Sequence, residues 1–205
     1  MVPLWFVIFY PVAVAIFLFM LFFSISRYKK YSIFTRIVSD LGRKNTLSCK
    51  IYNRAIVFYS IINLAIIYFL FVYFNQHFAF NIYSLIGLIF FAISSIFGII
   101  LGFVPEEDGK KGDKHDLLAG IMFFEYMLGS LMLVYPFIIS KLFWIMPFTL
   151  LSLVMFIFFF IASLKSWPYV LSNVRNPIIK NICFWEWMFV IYMILWLFLV
   201  YLVMI

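Results

Sequence analysis

The stretch GFVPEEDGKKGDKHDLLAGIMFFEYMLGS, residues 102–130, shows the pattern that decides the fold: a short charged segment between two long apolar runs. The charged segment, Glu106 to Asp116, has eleven residues, and almost all of them are charged or Gly. Nine residues further on, Glu125 is the one charged residue in the apolar run that follows. An ionised side chain is expensive to place within a long apolar helix, so the position of Glu125 needs a physical explanation.

The composition identifies the solvent that most of this chain meets. Of the 205 residues, 67% are hydrophobic and 11% are charged, and the mean hydropathy is +1.14. A soluble domain is usually about half apolar and about a quarter charged. The chain has too few polar residues to cover a soluble surface, so we infer that it lies largely in lipid. Its 29 Phe and 13 Tyr residues suit lipid-facing surfaces and membrane interfaces.

Six apolar segments are long enough to cross a hydrocarbon core, which needs about 20 helical residues. They cover residues 4–23, 55–74, 82–104, 117–139, 142–164 and 182–205. Lipid offers no hydrogen-bond partner to the backbone, so each segment is predicted to be an α-helix. The sequence therefore predicts an all-α, six-helix transmembrane bundle that forms one polytopic domain over residues 1–205. Three prolines inside these segments are predicted to kink their helices: Pro11, Pro136 and Pro147.

The connections between the segments differ sharply in charge. Fourteen of the 15 Lys and Arg residues lie in alternate connections, at 24–54, 105–116 and 165–181. The connections of the opposite side contain only Lys141. Basic connections are retained in the cytoplasm, so the sequence predicts both termini outside and three basic cytoplasmic loops of a cell-membrane protein.

The first basic connection has an amphipathic pattern of its own. Ile33, Ile37 and Leu41 recur at helical spacing, with basic residues between them. This pattern predicts a helix that lies on the cytoplasmic leaflet and contacts anionic lipid headgroups. Alternatively, the charges only set the topology. The segment KSWPYVLSNVRNPIIKN, residues 165–181, permits the same two interpretations.

Polar residues of the spans concentrate near the predicted cytoplasmic side. At 1.5 Å per residue, Glu125 and Asn63 each lie about 12 Å along their spans, and Glu186 lies about 6 Å along the last span. Other polar residues lie at or near the inner mouths of the spans: His115, Asn53 and Asp40. We therefore predict a polar cluster in the inner half of the bundle.

The two intramembrane glutamates have a functional and a structural interpretation. A carboxylate that faces lipid costs several kcal/mol, so Glu125 is expected to face the bundle interior, find a donor or remain protonated. A functional site and a structural hydrogen bond between helices both fit Glu125. For Glu186, which is nearer the interface and close to Lys180 in sequence, the structural interpretation is favoured.

A stripe of small residues predicts where helices approach closely. Ser94, Gly98 and Gly102 recur every four residues on the third span. Small residues at this spacing allow another helix to pack closely. We interpret the stripe as a packing surface in the same half of the bundle as the carboxylates.

The sequence lacks the motifs that are typical of several classes of function. The run GDKHD offers one His with exposed carboxylates, Asp113, His115 and Asp116, which is a poor zinc set, so no metal site is predicted. No P-loop, GxGxxG, GxSxG or HExxH motif occurs, so neither a cofactor nor a catalytic residue is assigned. The basic residues lie between apolar runs without a nucleic-acid motif, which argues against a nucleic-acid partner.

Two short motifs resemble a known family. The stretches IVSDLGRKNTLSCKIYN and GFVPEEDGKKGDKHDLLAGIMFF resemble the prokaryotic membrane family called domain of unknown function 998, distantly similar to the Frag1/DRAM/Sfk1 group. The resemblance implies six helices and carries no assigned reaction. The positions that match the family pattern are Ser39, Leu41, Gly42, Asn53, Gly102, Pro105 and His115.

Two functional hypotheses remain open from the sequence. The first is a membrane protein that binds or handles a lipid or small solute at the inner polar cluster, with Glu125 as its central carboxylate. The second is a non-catalytic accessory or assembly subunit that docks another membrane protein. Transport across the membrane is less well supported, because neither an internal repeat nor a polar path through the outer half is evident.

Overall fold

The computed structural model describes residues 3–29, 31–34, 36–77, 80–106, 114–166 and 182–205. These residues form seven helices, here numbered in chain order: α1 (Leu4–Arg27), α2 (Cys49–Gln76), α3 (Ile82–Leu101), α4 (Lys114–Met132), α5 (Val134–Ile139), α6 (Met146–Ser166) and α7 (Ile182–Met204). Within the described ranges there is no strand. Because α4 and α5 together make one span, six stretches are long and apolar enough to cross a membrane. The predicted all-α, six-helix, multi-pass architecture is confirmed, while the orientation of the termini stays a prediction.

Several helices begin or end at residues other than those predicted from the apolar runs. α1 continues to Arg27 and α2 begins at Cys49, several residues beyond the apolar runs at 4–23 and 55–74. A helix keeps its own backbone hydrogen bonds in the interfacial region, so it does not stop where the apolar run stops. α3 ends earlier than predicted, at Leu101. Pro105 follows shortly after and disfavours helical geometry at the residue before it.

The three prolines have different effects. Pro11 lies inside α1, which continues unbroken through it. Pro136 follows the interruption at Leu133 between α4 and α5. Its ring lacks an N–H and clashes with the carbonyl four residues earlier, which accounts for a break at this point. Pro147 falls in the first turn of α6, where its missing N–H costs no helical hydrogen bond.

Six helix ends lie at one end of the bundle, which we call the basic end: α1, α3 and α6 finish there, and α2, α4 and α7 begin there. The Lys44 amide donates to the Glu106 carbonyl (2.9 Å), which joins the first connection to the segment after α3. Phe158 near the end of α6 stacks on Trp185 near the start of α7, with ring centroids 4.6 Å apart. The first connection is therefore held against the residues that follow α3, at the end where α6 and α7 also meet.

α7 is the central helix and α6 the peripheral one. Of the six spans, the one in α7 has the largest share of its residues buried, and the one that begins at Phe143 has the smallest. Two buried polar contacts fasten α6 to its neighbours. The Ser130 and Ser152 hydroxyls lie 2.7 Å apart, and the Trp196 indole donates to the Thr149 hydroxyl (3.0 Å).

The small-residue stripe of α3 lies against both of its neighbours in the bundle. Gly98 and Gly102 face α2, and the Ser94 hydroxyl donates to the Met122 carbonyl of α4 (2.8 Å). A Cβ at Gly102 would lie 2.7 Å from the Asn53 carbonyl oxygen, so the backbones of α2 and α3 approach too closely for a larger residue.

We expect Gly102→Ala to lower the thermal unfolding midpoint in detergent, because the new methyl group forces α2 and α3 apart. The free energy of unfolding is expected to fall by about 1–3 kcal/mol, as it does at other overpacked positions. Gly120→Ala is the matched control, because a Cβ there has no neighbouring atom within 4 Å. Equal midpoints for the two variants would contradict the close crossing.

Candidate functional site

The connection between α1 and α2 is folded into the basic end and does not form the predicted surface helix. Its one regular element in the described residues is a single 3₁₀ turn, Ser39–Gly42, all of which is buried. Of the three residues expected on an apolar stripe, Leu41 is buried while Ile33 is exposed. The prediction of an amphipathic helix is wrong because Leu41 and its neighbours pack inward. The corresponding prediction for 165–181 falls almost entirely on residues 167–181, which lie outside the described ranges.

Side chains of α7 hold this connection in place. The Val38 amide donates to a carboxylate oxygen of Glu186 (3.1 Å), and both residues are buried. The Trp187 indole donates to the Tyr31 hydroxyl (2.9 Å), which in turn donates to the Ile37 carbonyl (2.9 Å). Consecutive residues of α7 therefore bind backbone and side-chain groups of a segment about 150 residues earlier in the chain.

A cavity of about 60 Å³ lies behind the folded connection, between α1, α2, α3, α4 and α7. Its wall is mainly apolar and aromatic, with contributions that include Phe17, Phe91 and Phe123. Val38 and Ser39 of the connection also line it, so this segment closes one side of the cavity.

The polar groups of the cavity come from separate helices. Glu186 of α7, Asn63 and Ser60 of α2, and Ser94 and Ser95 of α3 all line it. In the part of the chain described, neither the Asn63 Oδ1 atom nor the Tyr59 hydroxyl has a hydrogen-bond partner, although both are buried. Buried polar atoms are nearly always satisfied, so these two atoms are exceptions, and both belong to residues that line one cavity.

Glu125 does not line this cavity. It is only half-buried, whereas the next residue, Tyr126, is buried and does line the cavity. Successive helical side chains point about 100° apart, so a helix that turns Tyr126 inward turns Glu125 away. The Oε2 atom of Glu125 has no hydrogen-bond partner within the described ranges. The structure thus brings Glu186 and Asn63 into one cavity and leaves Glu125 outside it.

An ionic cluster lies at the basic end next to Glu186. The Arg43 guanidinium pairs with the Asp40 carboxylate and also lies 3.5 Å from Glu106. Arg36 lies 3.7 Å from the other Asp40 oxygen. Burial raises the pKa of Asp40, and the two arginines oppose that rise. Burial, with the nearby Asp40 carboxylate, raises the pKa of Glu106 to about 7.

The residues that carry the family resemblance pack against one another at the basic end. A Cβ at Gly42 would lie 2.6 Å from the Asn53 Oδ1 atom, and Asn53 also contacts Gly102 through its carbonyl. The His115 Nδ1 atom lies 2.6 Å from the Val104 carbonyl oxygen, one residue before Pro105. The motif residues 39–42 and 102–105 are therefore two sides of one packed junction.

Some of the residues that build this end were not predicted from the sequence. Arg43 and Glu106 lie in charged connections, 63 residues apart in the sequence. Nothing in the residues around either one shows that the two side chains form an ion pair. Tyr59 could have been found, since it precedes Asn63 by four residues and lies on the same helical face. The described residues contain no group of three His, Cys, Asp or Glu side chains placed to hold a metal, and Asp113 lies outside them.

We expect the stability of the protein to fall as pH rises from about 5 to about 8, in part because of Glu106. Its pKa in the folded state is about 7, against about 4.3 for an unfolded glutamate. The folded state therefore holds a proton that the unfolded chain has lost, so stability decreases with pH in this interval. Thermal unfolding in detergent across that range measures the slope.

Glu106→Gln is expected to flatten this slope without removing it, because burial also raises the pKa of Asp40. The variant removes the titrating proton and keeps a side chain of similar size. Identical slopes for the variant and the original protein would contradict a titrating Glu106.

Comparisons with known proteins agree with the observed fold and assign no activity to the chain. No curated protein and no solved structure matches the chain. The family model described as Protein of unknown function (DUF998) matches residues 11–203, from within α1 almost to the end of α7. The similarity to the Frag1/DRAM/Sfk1 group stays a prediction. With six membrane-spanning segments and a match over nearly its whole length, the chain belongs to the DUF998 family of multi-pass membrane proteins.

Proposed function

We propose that this protein binds a small amphiphilic molecule, or part of a lipid, in the cavity at the basic end of the bundle. The observation that carries the proposal is a pair of buried polar atoms in a mainly apolar wall, Asn63 Oδ1 and Tyr59 Oη, which have no hydrogen-bond partner among the described residues. Ligand sites have this composition: mostly apolar, with a few polar groups that fix orientation. Under the predicted orientation, the site lies in the cytoplasmic half of the cell membrane.

Glu186 is the polar anchor in this proposal and replaces Glu125 in the role that the sequence suggested for the latter. Glu186 lines the cavity and is 5% exposed as a residue, and the Val38 amide occupies one acceptor site of its carboxyl group. A carboxyl group at membrane depth is costly unless partners satisfy it, so such residues commonly mark binding sites. The proposal involves binding alone and assigns no catalytic step.

We expect Ala119→Leu to reduce the amount of bound amphiphile, because Ala119 lines the cavity and the larger side chain fills it. Native mass spectrometry of protein extracted from membranes would count the retained small molecules. Gly120→Leu is the matched control, since the neighbouring position opens away from other atoms. The proposal fails if the original protein retains nothing, or if both variants retain as much as it does.

A second candidate function, an accessory subunit of a membrane complex, is favoured by the position of Glu125. Its carboxyl group lies on a half-exposed face of α4, outside the cavity, with an unsatisfied oxygen. A basic or hydroxyl-bearing side chain of a neighbouring membrane helix would pair with this carboxyl group at a depth where lipid offers no donor. The partner in this case is a membrane protein with such a donor in its span.

We expect Glu125→Gln to weaken a complex of this kind and to leave the cavity unaffected. The measurement is the size of the detergent-extracted particle, compared with that of Glu186→Gln. A shift to a smaller particle with Glu125→Gln alone supports the accessory role. The same particle size for both variants and the original protein contradicts it.

A further inference from the structure

We propose that the ligand of the cavity is a protonated primary amine carried on an apolar chain. This inference rests on the proposed function and names the chemical class that the cavity selects. Its basis is the charge and the hydrogen-bonding capacity of the lining groups, which favour a cationic donor over a neutral or anionic molecule.

The lining has an acidic group and no basic one to balance it. Glu186 contributes a carboxyl group, and none of the described residues that line the cavity is Lys, Arg or His. The Val38 amide occupies one of about four acceptor positions that a carboxylate offers. A phosphate or carboxylate ligand would find no cation among these residues to pair with it.

Several hydroxyl groups of the cavity have already used their protons. Ser94 donates to the Met122 carbonyl, Ser95 donates to the Phe91 carbonyl (2.9 Å), and Tyr126 donates to the Met193 carbonyl (3.1 Å). A hydroxyl group has one proton and two lone pairs, so these three groups offer lone pairs to a ligand. The unpartnered Asn63 Oδ1 is a further acceptor.

An alkylammonium ion matches this arrangement. It has three N–H donors and no acceptor, so it can satisfy the Glu186 carboxylate and neighbouring lone pairs together. Pairing also offsets the cost of keeping the carboxylate at membrane depth. The chain of the amine would lie against the apolar wall formed by residues such as Phe17, Ile56 and Leu197.

Three ligands of equal chain length test the proposal: hexylamine, hexanol and hexanoate. Each is titrated against the purified protein in nonionic detergent, and the rise in thermal unfolding midpoint is measured as a function of concentration. We expect hexylamine to bind roughly tenfold or more tightly than hexanol, as a hydrogen bond to a charged group predicts. Hexanoate is expected to give no shift.

Glu186→Gln and Glu125→Gln provide matched variants for the same chemical change. The response to hexylamine is expected to fall by roughly tenfold in Glu186→Gln and to persist in Glu125→Gln. If both variants respond equally to hexylamine, the amine acts through the detergent, and the proposal is overturned. If Glu186→Gln does not fold, the order of the three ligands on the original protein decides the question.

The outcomes separate this inference from the proposed function. Equal binding of hexanol and hexylamine, or no binding of hexylamine, overturns the choice of an amine. Retention of an amphiphile that Ala119→Leu abolishes would still support a binding cavity in that case. If hexylamine does not bind and no amphiphile is retained, the cavity is not a functional site.

Discussion

The hydrogen bond from the Val38 amide to the Glu186 carboxylate is the contact on which the basic end depends. It joins the first connection to the central helix α7, and both residues are buried. Inside a membrane protein such a pair has no water to replace a lost partner, so neither group can leave without cost. The connection therefore stays folded against the bundle and closes the cavity that it lines with Val38 and Ser39.

Close packing of small residues makes this junction possible. Gly42 lies against Asn53 of α2, and Gly102 of α3 lies against the Asn53 backbone, so Asn53 is enclosed by both motif glycines. The adjacent ionic cluster of Asp40, Arg43 and Glu106 joins the first connection to the segment after α3. The short motifs that indicate the family thus serve one purpose in the structure: they bring distant connections together over the cavity.

The sequence predicted the parts of the structure that depend on lipid and failed where polar groups meet through tertiary contacts. Long apolar runs and short loops predicted six spans, because the bilayer imposes helix length directly. The fold of the first connection was not predictable, since its helical spacing at Ile33, Ile37 and Leu41 contains no information about Glu186. For the same reason the sequence indicates a central role for Glu125: depth can be counted along a helix, whereas the direction of a side chain depends on its neighbours.

Hydrogen–deuterium exchange of the segment 36–44 in lipid tests the central contact most directly. The Val38 amide is expected to exchange as slowly as the amides of α7 in the original protein. It should exchange much faster in Glu186→Ala, while amides of α6 keep their rates. Fast exchange of this segment in the original protein, or an unchanged rate in Glu186→Ala, would contradict a folded connection held by Glu186.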